Sequence, residues 1–229
     1  MLRGFFKRTT KMLPILRVHS KAYPLFNKRL NMDTIKAIIW DADGVLITNK
    51  HRFSQRLSEE YGLDVRKMTP FFTGVFRECG VGRADLKVEL EKVMIEWGWR
   101  GTVDELIRFW LTEGTVLDPE MMSLAQAVHD RGVPSFMATD NEKYRGERLR
   151  TLLEGKVIDR IFLSAELGCR KNSLEFWQQI YNAIYAEHPV QKSDILYIDD
   201  DAVDIDTARS FGLQTYLYDG NFSELREHV

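Results

Sequence analysis

The chain has 229 residues, 44% of them hydrophobic, with five Trp and 13 Phe, which is enough to bury a substantial core as one large or two small domains. The formal charge of −2 hides an asymmetry: residues 1–31 hold eight Lys/Arg and no acid, leaving 24 basic against 34 acidic residues and a body near −10. So acidic a body lacks the basic footprint of phosphate-backbone binding, and no apolar stretch reaches the length of a membrane span or secretory core, so nucleic-acid and membrane partners are not expected.

Residues 1–33 read as a basic extension outside the fold. Arg3, Lys7, Arg8, Lys11, Arg17, Lys21, Lys28 and Arg29 are spread among Phe5, Phe6, Leu13, Ile15, Leu16 and Phe26, and Pro14 and Pro24 interrupt any long helix. This fits a disordered or loosely docked extension, an organelle transit peptide, or an upstream start codon ahead of Met32. The expected location is cytoplasmic, or an organelle if the segment is a transit peptide. Cys79 and Cys169 match no metal-ligand spacing and read as reduced thiols.

Ile35 to Asn49, I-K-A-I-I-W-D-A-D-G-V-L-I-T-N, opens the body. The β-branched run ending at Trp40 predicts a buried parallel strand, with Asp41 at its carboxyl end, Asp43 two residues on, and Gly44 permitting a tight loop. Ligands of open α/β sheets bind at such strand ends. Two carboxylates so close repel unless a cation or shared proton intervenes, although a polar turn alone would use the same residue types.

Beyond Asn49 the apolar residues change to helical spacing: Leu57 and Tyr61; Leu86, Leu90, Val93 and Met94; Leu106, Ile107, Trp110 and Leu111. The expected organisation is an α/β core of residues 34–50 and 115–229 interrupted by a helical insertion at 51–114, placed to act as a lid. Phe53, Phe72, Arg77, Arg83 and Trp97 are candidates to line a pocket there, and Trp97, Trp99 and Trp110 are better explained as helix packing than by a specific binding role.

From Asp118 onward helix and strand alternate. Helices are predicted over 119–131, 142–153, 173–187 (Leu174, Trp177, Ile180, Ile184 and Tyr185 inward) and 202–211, and strands over 133–138, 161–163, 195–198 and 214–218. The β-α alternation implies a parallel sheet. Three polar clusters follow its strands. Ala138-Thr139-Asp140-Asn141 suits an anion at a helix N-terminus, although alone it is explained as an N-cap. Lys171 could neutralise a phosphoryl group or be a solvated loop charge. Asp199, Asp200 and Asp201 close an apolar strand, with Asp204 one helical turn on; the helix dipole accounts for Asp204 but not for three consecutive aspartates. If the strands are neighbours, Asp41, Asp43 and Asp200 converge on a hard-cation site suited to Mg²⁺.

This order, strand-D-x-D-G-x-L, helical insertion, strand-T, loop Lys, strand-D-D-x-x-x-D, resembles the haloacid dehalogenase (HAD) superfamily over about residues 35–220. Asp41 and Asp43 match its first motif, Thr139 the second, Lys171 the third, and Asp199, Asp200 and Asp204 the fourth. The insertion point is similar to that of the branch with a helical cap after the first motif, and F-L-S-A-E-L-G-C-R-K-N-S resembles the third-motif region of phosphatases and epoxide-hydrolase-like members there. Asn172 stands where many members have proline, and Val45 where threonine is common.

The resemblance implies a Rossmann-like parallel sheet with an inserted α-helical cap, and a phosphatase acting on a small phosphorylated metabolite such as a sugar phosphate. It implies Asp41 as nucleophile, Asp43 as general acid and base, and Thr139, Asp140, Asn141 and Lys171 around the phosphate. Mg²⁺ would be held by Asp41, Asp43 through its carbonyl, and Asp200, with Asp199 and Asp204 in or near its water shell. Dehalogenases release a halide that needs no proton, so Asp43 and the acidic cluster favour phosphate monoesters; a phosphomutase or a catalytically silent, protein-binding scaffold are the alternatives. Two-component receiver domains share the residue types but place the acidic pair first and lack the insertion.

Overall fold

The computed structural model describes residues 34–48 and 53–229. The reading of residues 1–33 as an extension, and the expected core-to-insertion boundary at 50/51, lie outside them. Five parallel strands form one sheet: β1 (Ala37–Trp40), β2 (Ser135–Thr139), β3 (Arg160–Leu163), β4 (Ile195–Asp199) and β5 (Gln214–Leu217), in the order β3-β2-β1-β4-β5. β1 is central, with Trp40 in register with Met137 on one side and Ile198 on the other. The chain leaves β1 toward β2 and returns to β1's opposite edge with β4, so the crevice opens at the carboxyl ends of these three strands. This is the α/β, Rossmann-like parallel sheet expected.

Both faces of the sheet are covered, which is why β1, β2 and β4 read as continuous apolar runs. Alternation of side chains sends Ile38, Trp40, Leu196 and Ile198 into a cluster with Val128 of α6 (Pro119–Asp130) and Leu149 of α7 (Lys143–Leu153). Ala37, Ile39 and Tyr197 face the opposite cluster, with Trp177 and Ile180 of α9 (Leu174–Glu187) and Ile205 of α10 (Ala202–Phe211). Between β1 and α6 stand α1 (Phe53–Tyr61), α2 (Val65–Thr73), α3 (Phe76–Cys79), α4 (Leu86–Trp97) and α5 (Val103–Glu113), which bury Leu57, Met68, Leu90 and Leu106 in a core of their own. Thr102 and Glu105 start α5 with a reciprocal capping box.

Several expectations are corrected. β2 starts at Ser135, not Val133, because Pro134 has no N–H to give the ladder, although its carbonyl accepts from Ile38. Leu174 and Tyr185, expected inward, are exposed: Leu174 opens α9's first turn, and Tyr185 lies beside the buried Ile184 and packs on Tyr181 instead. Two short helices were not expected, α8 (Ser164–Leu167) and α11 (Phe222–His228).

Candidate active site

Asp41 follows directly on β1, where its N–H donates to Ile198 O across the sheet (2.9 Å). Its carboxylate is buried with Lys171 and Asp199. Lys171 arrives on the loop after α8 and is fixed twice by its own backbone, its N–H donating to Asp140 Oδ1 (3.1 Å) and its carbonyl accepting from Trp177 Nε1 (2.7 Å). Its ammonium donates to Asp41 Oδ1 (2.7 Å) and Asp199 Oδ2 (2.8 Å), with Asp204 Oδ2 at 3.4 Å. The solvated-charge reading of Lys171 is therefore excluded. Asp199 is further held by the Tyr197 hydroxyl and by the Asp201 N–H (2.8 Å).

One lysine faces more acid than it can neutralise. Asp41, Asp199 and Asp200 each bring a carboxylate oxygen within 4.8 Å of the others. Burial pushes the Asp41 carboxyl well above its ordinary range, against the opposing pull of Lys171. Asp200 is raised to about 6 by partial desolvation and by Asp199, and Asp204 to about 6 by burial. Burial also opposes the charge on Lys171, but Asp41, Asp199 and Asp204 outweigh it and hold its pKa well above normal. Gly44 makes the crowding possible: its φ is +92°, and a Cβ there would overlap the Asp200 carboxylate. Carboxylates in excess of counter-charge, in a cradle that only glycine leaves open, fit a hard divalent cation. The three carboxylates that gather are Asp41, Asp199 and Asp200, whereas Asp43's side chain is engaged by other partners.

That side chain turns toward α7. Asp43 Oδ2 accepts from Asn141 Nδ2 (3.1 Å), which also donates to Thr139 Oγ1 (2.7 Å), and Asp43 Oδ1 pairs with Arg145 Nη2 (2.5 Å). Thr139 is buried at the end of β2, and burial raises the Asp140 carboxyl above its ordinary range. The N-cap explanation of this stretch fails, because α7 is capped by Glu142, whose carboxylate accepts from the Tyr144 and Arg145 N–H groups. Thr139, Asp140 and Asn141 are left to the crevice.

Arg145 was missed. It is buried, and Arg145 Nη1 donates to Gly114 O (3.2 Å) while Nε has no partner among the described residues. Its signal was a charge in the buried register of α7, four residues before Leu149 and eight before Leu153. Arg145 also floors a cavity of about 460 Å³ beneath α1, α2, α3 and α5, walled by Phe53, Phe72, Phe76 and Trp110. Of the other residues proposed to line a pocket, Trp97 is buried in the helical core, Arg83 pairs with Glu78 (2.5 Å), and Arg77 is exposed. The helices are tied to the strand ends by Tyr144 Oη donating to Asp85 (2.9 Å) and Ser164 Oγ to Gly80 O (2.5 Å).

The family model described as haloacid dehalogenase-like hydrolase matches residues 35–212. No curated protein matches the sequence. Among solved structures, a HAD family enzyme of Bacteroides thetaiotaomicron in complex with magnesium and inorganic phosphate is 15% identical, with a TM-score of 0.66 over 82% of this chain and 96% of that one. A predicted HAD-like family hydrolase of Porphyromonas gingivalis is 17% identical (TM-score 0.64, 82% and 93% covered). The L-2-haloacid dehalogenase of Xanthobacter autotrophicus with chloropropionic acid covalently bound is 12% identical (TM-score 0.56, 79% and 76% covered). At these identities the likeness is one of fold.

Proposed function

This chain belongs to the haloacid dehalogenase-like hydrolases, and from that premise we propose that it is a Mg²⁺-dependent phosphatase that cleaves a small phosphate monoester through an aspartyl-phosphate. The observation that carries this reading is the separation of two aspartates of one loop. Asp41 lies in the carboxylate cluster with Lys171, whereas Asp43 is engaged by Asn141 and Arg145. On this reading Asp41 attacks and Asp43 moves a proton.

In the first step an Asp41 carboxylate oxygen attacks phosphorus, the bond to the ester oxygen breaks, and Asp43 protonates the departing alkoxide. Asp43 then takes a proton from the water that cleaves the aspartyl-phosphate, returning both residues to their starting forms. Thr139, the backbone at Asp140 and Asn141, and Lys171 hold the transferring group, since positioning and electrostatics supply most of the catalysis in such transfers. Asp41, the Asp43 carbonyl and Asp200 would hold Mg²⁺, with Asp199 and Asp204 in or near its water shell, and the bound ion would supply charge that offsets the nucleophile and the phosphoryl oxygens. The α1–α5 helices act as the cap. A halide departs without a proton, so dehalogenation would leave Asp43 and its two partners without a task.

The test is phosphate release from p-nitrophenyl phosphate and a panel of phosphorylated metabolites, with Mg²⁺ or with chelator. Turnover is expected only with the metal, and Asp41→Asn is expected to reduce it below about a thousandth. Absence of phosphate release, with halide release from 2-chloropropionate, would overturn the reading.

A further inference from the structure

The cavity under the helices bears on which alcohol leaves. Its walls are the faces and edges of four aromatic rings: Phe53 stacks on Trp110 (centroids 4.3 Å apart, 11° between planes), while Phe72 and Phe76 close on Trp110 at 5.7 and 5.3 Å. At about 460 Å³ it is within the range of small-molecule sites. Two of the hydroxyls on its wall are turned to their own helix, Thr69 Oγ1 donating to Val65 O (3.2 Å) and Thr73 Oγ1 to Thr69 O (2.9 Å). Among the described residues the one charge in the lining, on Arg145, is already met by Asp43. A polyhydroxylated leaving group would bring several hydroxyls to a wall with few partners for them, and each would lose its water without replacement. An apolar group loses nothing there and removes aromatic surface from water. Arg145 joins this cavity to the reacting centre, since the same guanidinium floors the pocket and grips the proposed proton donor.

We propose that the alcohol released is apolar and about the size of a phenyl-bearing group, seated among Phe53, Phe72, Phe76 and Trp110, with Arg145 as the positioning residue that aligns Asp43 beside its oxygen. This rests on the phosphatase reading and narrows it from phosphorylated metabolites in general, sugar phosphates included, to esters of apolar alcohols.

The experiment compares kcat/KM of the full chain with Mg²⁺ for 2-phenylethyl phosphate, glucose 6-phosphate and acetyl phosphate. The first two are esters of primary alcohols, so leaving-group acidity does not separate them. The phenylethyl ester is expected to be favoured at least about tenfold over the sugar ester. Thr69→Trp, which fills the cavity from an exposed wall position of α2, is expected to lower kcat/KM for the phenylethyl ester at least about tenfold more than for acetyl phosphate. Arg145→Met is expected to lower kcat/KM, which reports the step in which the alcohol departs, for the phenylethyl ester at least about tenfold more than for p-nitrophenyl phosphate, whose leaving group needs little protonation, and Arg145→Lys to recover part of that difference. Equal or better turnover of glucose 6-phosphate, or a uniform effect of Thr69→Trp, would overturn the substrate class while leaving the phosphatase reading intact. Equal losses on both esters in Arg145→Met would overturn the positioning role. No turnover of any of these compounds would sink the phosphatase reading and this inference with it.

Discussion

Replacing Lys171 by methionine keeps the length of the side chain and removes the one ammonium that Asp41, Asp199 and Asp204 share at 2.7, 2.8 and 3.4 Å. The lysine and the first two carboxylates are almost fully buried, so the carboxylates cannot recruit bulk water in its place. Removing one partner of a buried ion pair costs about 3–5 kcal/mol. For a chain of this size each kcal/mol is worth about 2–4 °C, so the metal-free variant should melt about 6–20 °C below the native protein at pH 8. The deficit should shrink at pH 5. Burial already raises the Asp41 carboxyl and Lys171 is what opposes it, so without the lysine Asp41 takes up a proton at higher pH, and protonation relieves the repulsion. Thermal unfolding with chelator at pH 8 and pH 5 measures both effects. A variant within about 2 °C of native at pH 8, or a deficit unchanged at pH 5, would refute the claim that this lysine neutralises the cluster.

Gly44→Ala should cost about 1–2 kcal/mol for its positive φ and, by pushing Asp200 aside, weaken the apparent Mg²⁺ affinity at least about tenfold in activity titrations; unchanged metal dependence would show that Asp200 is not a ligand. In metal-free protein, Asp204 binds its proton up to about pH 6 when folded but only up to its ordinary value of 3.8 when unfolded. Stability should therefore fall as pH rises through that window, by about 3 kcal/mol at most for Asp204, and level off above it. Denaturant unfolding with chelator should show this slope reduced in Asp204→Asn, and an unaltered slope would place the titration elsewhere. Asp43→Asn should lose about 10²–10⁴-fold in kcat for alkyl phosphates and measurably less for p-nitrophenyl phosphate when phosphoenzyme formation is followed by rapid quench; equal losses would remove it as the proton donor.

The core strands were legible because burial on both faces leaves an unbroken apolar run, and a run ending in Asp41, Thr139 or Asp199 marks its own strand end. The site residues were legible for the same reason. Asp41, Thr139 and Asp199 are tied to strand termini, so parallel pairing brings them together, whereas Lys171 comes from the loop after α8 and Arg145 from within α7. What sequence could not supply is the direction of each side chain. Asp41 and Asp43 share one turn, yet one joins the carboxylate cluster and the other pairs with Arg145, a choice made by α7 more than a hundred residues away. The cap pocket was harder still. Phe72 and Trp97 are both aromatic at helical spacing and their rings stack, but only Phe72 reaches the cavity, and helical periodicity separates inside from outside without separating core from cleft.

The excess of carboxylate over Lys171 also bears on how the fold and the ligand are linked. Two apolar clusters, one on each face of the sheet, fix β1, β2 and β4 in register, so the strand ends cannot spread to relieve the repulsion between Asp41, Asp199 and Asp200. Ionising all of these carboxyls in the folded chain is therefore costly: burial, and after it the charge of Asp199, raises Asp41, Asp200 and Asp204 above their ordinary range. A cation that relieves this cost binds the folded chain and not the unfolded one. At a hundredfold excess over its dissociation constant it would add about 2.7 kcal/mol of stability. The same rigidity explains why Gly44 matters, since a backbone that could yield would make room for a Cβ. On the proposed reading, affinity for a cation and a fixed nucleophile would thus come from one cause, the sheet's refusal to let its acidic edge relax.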